Sequence, residues 1–175
     1  MQDLWLLKLD SPAGDVVPRA LEGALPSPRM WQALDAPLLY AYLPGHARPE
    51  AVTPGAAHEW TRLECVQHMP GASPSDPPLF HYVVETDVLP EAEQDFNAWY
   101  GQEHLPGLAA VPGVVRAARY VDSKGSPRYY ACYDLARLEA VGSVPWLAVG
   151  ATPWSWKVRP SFRNTGRTMF RRRGT

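Results

Sequence analysis

Little in this chain would send it to a membrane or a nucleic acid. Its first residues, MQDLWLLKLDSP, carry no basic stretch, and their apolar run is too short for a signal peptide or a membrane span. A cytoplasmic protein is therefore expected. Charge of one sign is also missing: 17 Lys and Arg stand against 18 Asp and Glu, so no net field gathers nucleic acid or an anionic lipid surface. The one basic cluster, RTMFRRRGT at 167–175, reads as a solvated end that keeps an edge strand from pairing. Cysteine is scarce, and Cys65 and Cys132 fit no zinc or redox spacing. Both read as small buried hydrophobes, and no metal site is expected.

What is abundant is aromatic. Seven Trp, 8 Tyr and 4 Phe in 175 residues supply a well-packed interior for one domain or for two small halves sharing a core. Internal similarity favours two halves. LWLLKLD (4–10) resembles FHYVVETD (80–87), PLLYAYLP (37–44) resembles PRYYACYD (127–134), and ARPEAV (47–52) resembles ARLEAV (136–141), in the same order. The Pro-, Gly- and Ser-rich PGASPSDPP (70–78) between them reads as a linker, which leaves units at 1–69 and 79–175.

The second unit is expected to run strand 80–88, helix 91–105, strand 113–122, strand 127–135, helix about 137–150 and strand 162–171. TPWSWKVRP (152–160) adds a short helix with Thr152 as cap, Pro153 at its first position and Pro160 to stop it. Its aromatic residues fit core and cap first, although Trp154 or Trp156 could wall a cavity. The order β-α-β-β-α-β is that of a ferredoxin-like α+β fold, with both helices on one face of an antiparallel sheet. Phe80, Tyr82 and Val84 alternate with His81, Val83 and Glu85, and Val115, Ala117 and Val121 with Val114, Ala118 and Tyr120, so both sheet faces carry apolar groups. The helix-free face needs a cover, and the first half can supply it: two tandem units, the first degenerate, packing sheet to sheet as an α/β barrel.

Chemistry concentrates in DFNAWYGQEHLPG (95–107). On a helical wheel Phe96, Trp99, Tyr100 and Glu103 share one arc, with His104 and Asn97 on its margin. Pro106 disfavours helical geometry at Leu105, so the helix should end there, with Glu103 and His104 in its last turn. A carboxylate against an aromatic stripe at the negative end of a helix dipole calls for an Arg partner or for a proton of its own. Arg116 and Arg119 are the candidate partners, and since they project from opposite faces of a strand only one can reach the helix. A structural reading stands beside the chemical one with equal weight: His104 as a cap, Glu103 as an anchor to an Arg, Trp99 and Tyr100 as core.

The string from Phe96 to Tyr120, F-N-x-W-Y-x-x-E-H-L-P-x-L-x-x-V-P-G-V-x-R-A-x-R-Y, with PRYYACYDL and TPWSWKVRPSFRN after it, resembles the EthD-like branch of the dimeric α/β-barrel superfamily. The resemblance covers about 80–171. It implies a pocket between sheet and helices lined by Trp99, Tyr100, Glu103, His104 and Pro106. SPAGDVVPRALEGA (11–24) has neither the aromatic pair nor Glu-His, so one pocket per chain is expected, with the first half in place of a second subunit and room left for a homodimer. The superfamily spans cofactor-free oxygenases, isomerases, cyclases, decarboxylases (lyases) and haem enzymes. The first expectation is a cofactor-independent enzyme acting on a small, flat, apolar or aromatic molecule. His104 transfers a proton, Glu103 orients it, and a strand Arg with Tyr100 or Tyr82 holds an oxyanion, with Trp99, Asn97, Arg116 and Arg119 as binding residues. The alternatives are a non-catalytic ligand-binding or scaffold protein and, ranked lower, haem ligation by His104, since no covalent attachment motif occurs.

Overall fold

The computed structural model describes residues 2–10, 28–47 and 60–173. Eight antiparallel strands close into one barrel: β1 (Leu4–Asp10), β2 (Arg29–Ala33), β3 (Leu38–Pro44), β4 (Thr61–Pro70), β5 (Phe80–Val88), β6 (Val114–Val121), β7 (Tyr129–Leu135) and β8 (Phe162–Arg172). The order around it is β1-β3-β2-β8-β5-β7-β6-β4. The fold is α+β, as the element order predicts, and the buried residues form three clusters, one inside the barrel, one under the helices and one on the outer face of β1 and β3. Val83, Ala118, Tyr120, Tyr130, Cys132 and Phe170 meet Leu4, Leu6, Trp31, Tyr40 and Tyr42 inside the barrel. Ala117, Tyr129, Ala131 and Tyr133 face outward under the helices.

The 167–173 stretch is not a solvated end. β8 lies between β5 and β2, Phe170 is fully buried, and Trp31 pairs with Arg172. Period-2 alternation explains the difference, because Thr168 and Phe170 turn inward while Arg167 and Arg171 turn outward. The 71–79 connection between the strand sets is tied down rather than free: Gly71 N–H donates to Val115 O, and the Ser73 hydroxyl accepts from Gly113 N–H. A Cβ on Gly71 would lie 2.1 Å from Val114 O, so only glycine allows this approach. Residues 11–24, expected to lack the site motif, lie outside the described residues.

The long helix departs from expectation. It starts as α1 (Glu93–Trp99) and passes through a π turn at Tyr100–His104, where Leu105 N–H bonds Tyr100 O five residues back. It then continues as α2 (Leu105–Ala109). Pro106 therefore does not stop it. The wider turn accommodates a residue with no N–H, and the Gly101 carbonyl, five residues before Pro106, takes its hydrogen bond from Gln67 Nε2 at 3.1 Å instead. The second helical stretch also differs, being a single 3₁₀ turn at 138–140 followed by α3 (Val144–Gly150), which Ser143 caps. α4 (Pro153–Val158) starts as expected, with Thr152 Oγ1 accepting from Ser155 N–H. No helix among the described residues is long and apolar enough to cross a membrane.

Candidate functional site

The π turn decides which side chain enters the core. An extra residue per turn delays rotation by one position, so the buried stripe runs Phe96, Trp99, Tyr100, His104, Leu105 and Leu108, and Glu103 falls to its edge. His104 stacks on Trp99 with ring centroids 4.1 Å apart and meets Tyr100 edge to face at 5.2 Å. Its Nδ1 is buried without a partner among the described residues. Burial and the positive charges of Arg159 and Arg119 bring its pKa down to about 3, so the imidazole is neutral.

A cavity of about 330 Å³ opens beside it. Trp99, Tyr100, His104 and Leu108 form the helix wall, and Tyr82, Val84 and Tyr133 rise from the sheet. Trp146 and Leu147 of α3 close one side and Trp156 and Phe162 another. Arg159 and Arg167 also line it, and neither guanidinium makes a hydrogen bond or an ion pair among the described residues. The Tyr133 hydroxyl is a second buried polar atom without a partner. Burial pushes the Tyr100 phenol up to about 12, and raises Tyr82 as well, so both are neutral donors. The cavity thus has an aromatic body, neutral polar groups deep in its wall and two guanidiniums at its exposed rim.

Several expected site residues lie elsewhere. Glu103 does not line the cavity and meets no strand arginine; it accepts from Thr152 Oγ1 at 2.5 Å. Thr152 caps α4, whose Ser155 hydroxyl accepts from Trp99 Nε1 at 3.2 Å, so Glu103 fixes α4 against the long helix instead of orienting His104. Of the two strand arginines, Arg119 faces the helix. It lies 4.3 Å over the Tyr100 ring and donates to Asn97 Oδ1 at 2.9 Å. Both Arg119 and Asn97 therefore sit behind the cavity wall, and Asn97 meets neither Tyr100 nor His104 by hydrogen bond. Arg116 points the other way, into the barrel, and pairs with Asp134 at 2.6 Å. Trp156, expected first as core, is 66% exposed at the rim, while Trp154 donates to Asp95.

Arg159, Arg167 and Trp146 are cavity residues that the sequence reading did not single out. A signal existed for one of them: Arg167 pairs with Val84, already assigned to the helix face, so alternation across β5 and β8 places it there.

No family model and no curated protein matches the chain. Among solved structures it is similar to a proposed monooxygenase from Fusobacterium nucleatum at 8% identity and a TM-score of 0.69, covering 98% of this chain and 92% of that one. An uncharacterized ferredoxin-fold protein from Listeria monocytogenes, related to antibiotic biosynthesis monooxygenases, aligns at 11% identity and 0.60, covering 100% and 96%. A heme-degrading enzyme from Listeria monocytogenes aligns at 9% and 0.60, covering 97% and 98%. At these identities the likeness establishes the ferredoxin-like α/β-barrel fold and nothing about the reaction.

Proposed function

We propose that the cavity beside His104 binds a small, flat aromatic molecule carrying an acidic hydroxyl, and that the chain is a cofactor-independent acid/base enzyme of the EthD-like type. One observation carries this reading: a neutral, buried imidazole with an unpartnered Nδ1 stands in an aromatic cavity whose rim holds two unpaired guanidiniums. A neutral imidazole held this low is a weak base until charge changes around it. A ligand whose oxygen turns anionic beside Arg159 offsets the positive charge that lowers His104, and so raises the imidazole's affinity for the proton that the oxygen gives up. The hydroxyl O–H bond breaks, the proton moves to the ring nitrogen, and the oxyanion is held by Arg159 and Arg167 with Tyr82 as a further donor. Such an enolate or phenolate is the common first intermediate of isomerase, cyclase, lyase and cofactor-free oxygenase chemistry. The neighbours described as monooxygenases support this class.

Glu103 acts as a positioning residue through Thr152. The free thiols of Cys65 and Cys132 fit the cytoplasmic placement. Haem held by His104, which the heme-degrading neighbour brings to mind, draws on the same neutral imidazole. The cavity volume, near the lower end of the roughly 300–1,000 Å³ usual for ligand pockets, suits one or two rings better than a macrocycle.

Titration with 1-naphthol, a two-ring phenol, tests the proposal. Binding should quench the emission of Trp99, and Arg159→Ala and His104→Ala should each weaken it by about tenfold, or about 1.4 kcal/mol. Naphthol binding that is equally tight in both variants would remove the assignment. A Soret band on adding haem to the intact protein, absent in His104→Ala, would instead favour the haem reading.

A further inference from the structure

The open end of the barrel where β1, β2, β5 and β6 begin and β3, β4, β7 and β8 end holds a second constellation. Here His81 Nδ1–H donates to Asp134 Oδ1 at 2.7 Å, and Asp134 Oδ2 meets Arg116 at 2.6 Å. The tautomer this fixes leaves His81 Nε2 as acceptor for the Tyr42 hydroxyl at 3.2 Å. Trp31 stacks on the imidazole at 4.9 Å. Burial of Asp134 opposes its charge, but the hydrogen bond from His81 and the charge of Arg116 prevail and hold its carboxyl well below the usual range. Burial keeps His81 neutral despite its carboxylate partner.

Above this chain of contacts lies a cavity of about 740 Å³, reached from solvent and lined by Arg29, Arg116, Tyr42, Tyr120, His68 and Leu4. Its charge does not balance. Two guanidiniums, Arg29 and Arg116, line it, the carboxylate that Arg116 meets is that of Asp134 behind the wall, and His68, lowered by burial and by Arg116, is held toward its neutral form. Positive charge is left over, in a hollow walled by two phenol rings. Arg116 spends one nitrogen on Asp134 and keeps further donors, and Arg29 makes no ion pair among the described residues. A guanidinium fork matches a carboxylate in two parallel hydrogen bonds, and tyrosine faces stack on flat rings.

We infer that this barrel mouth is a second ligand site, separate from the cavity beside His104, that takes a flat monocarboxylate, with the carboxylate between Arg29 and Arg116 and its ring against Tyr42 and Tyr120. The two phenol walls select an anion that carries a flat ring over a ringless phosphate. The His81–Asp134 pair acts beneath the site by fixing Arg116 in place and orienting the Tyr42 hydroxyl.

Benzoate and inorganic phosphate are the probes, followed by amide chemical shifts of the intact protein. Benzoate should move the resonances of Tyr42, Arg116 and Tyr120 at up to about 20 mM, a weak-ligand range, and phosphate should move them less. Arg29→Ala removes an exposed side chain with no structural partner, so it should fold normally and weaken benzoate by about tenfold; Arg159→Ala, at the other cavity, should leave it unchanged. The inference is overturned if benzoate shifts nothing at the barrel mouth, if it shifts only residues beside His104, or if Arg29→Ala binds it as well as the parent chain. Stronger binding of phosphate than of benzoate overturns the monocarboxylate assignment.

Discussion

His104 shows what one position costs and what it offers. Its folded pKa of about 3 lies below the 6.5 of an unperturbed histidine, so between those values the unfolded chain binds a proton that the folded one refuses. Its contribution to stability is therefore intact above about pH 6.5 and is lost as pH falls toward 3. His104→Phe keeps a flat ring against Trp99 and cannot titrate. In urea unfolding at about pH 7 and about pH 5, the parent should lose about 2 kcal/mol more than this variant between the two. His81, also lowered by burial, acts in the same direction in both proteins and cancels from the difference. Equal losses would mean that His104 protonates without hindrance and is not held neutral by its surroundings. The sequence already marked His104, Trp99, Tyr100 and Tyr82, because a stripe of aromatic residues on one helix and one strand is visible as periodicity. It could not mark Arg159, which reaches the cavity from the end of a six-residue helix, where no periodic pattern exists to read.

The π turn is the device that makes the long helix a site wall. Wheel geometry at 3.6 residues per turn put Glu103 in the stripe, and Pro106 put the helix end at Leu105. Both expectations failed for one reason, since an inserted residue changes phase without any mark in the hydrophobic pattern. The strands fared better: β5 runs Phe80–Val88, as alternation predicts, and β6 and β7 fall within two residues of expectation. Deleting Gln102, which is exposed, would remove the extra residue and let Leu105 N–H bond Tyr100 O as an ordinary α turn. The deletion also sets Pro106 four residues after Gly101, where its ring clashes with that carbonyl, so the melting temperature of the deletion variant should fall, by the equivalent of about 3 kcal/mol. His104 would be drawn back toward Tyr100, and 1-naphthol binding should fall by at least about tenfold. Unaltered binding would show that the turn has no part in shaping the cavity.

Barrel closure follows from a symmetry between the two strand sets. Going around the barrel, the first four strands run fourth, first, third, second, and the last four repeat that order as β8, β5, β7, β6. We propose that this shared order reflects two tandem ferredoxin-like units, the organisation that short sequence matches suggest. The seams obey the same rule, because β2 joins β8 and β6 joins β4, each the second strand of one set against the fourth of the other, antiparallel. Two copies of the second set could therefore make both seams with each other. Alone, residues 79–175 would expose Val83, Ala118, Tyr120, Tyr130 and Phe170, all buried in the intact barrel, along with two unpaired strand edges. Covering that face is worth about 25 cal/mol per Å² of apolar surface, far more than one strand set can forgo and still fold. The isolated 79–175 fragment should thus appear as a dimer in light scattering. It should melt below the full chain, since Glu85 loses Lys8 and Tyr40, and His81 loses Tyr42. A folded monomeric fragment would show instead that the helix-side core is sufficient by itself, and that the first set of strands is an accessory to the fold and not its second half.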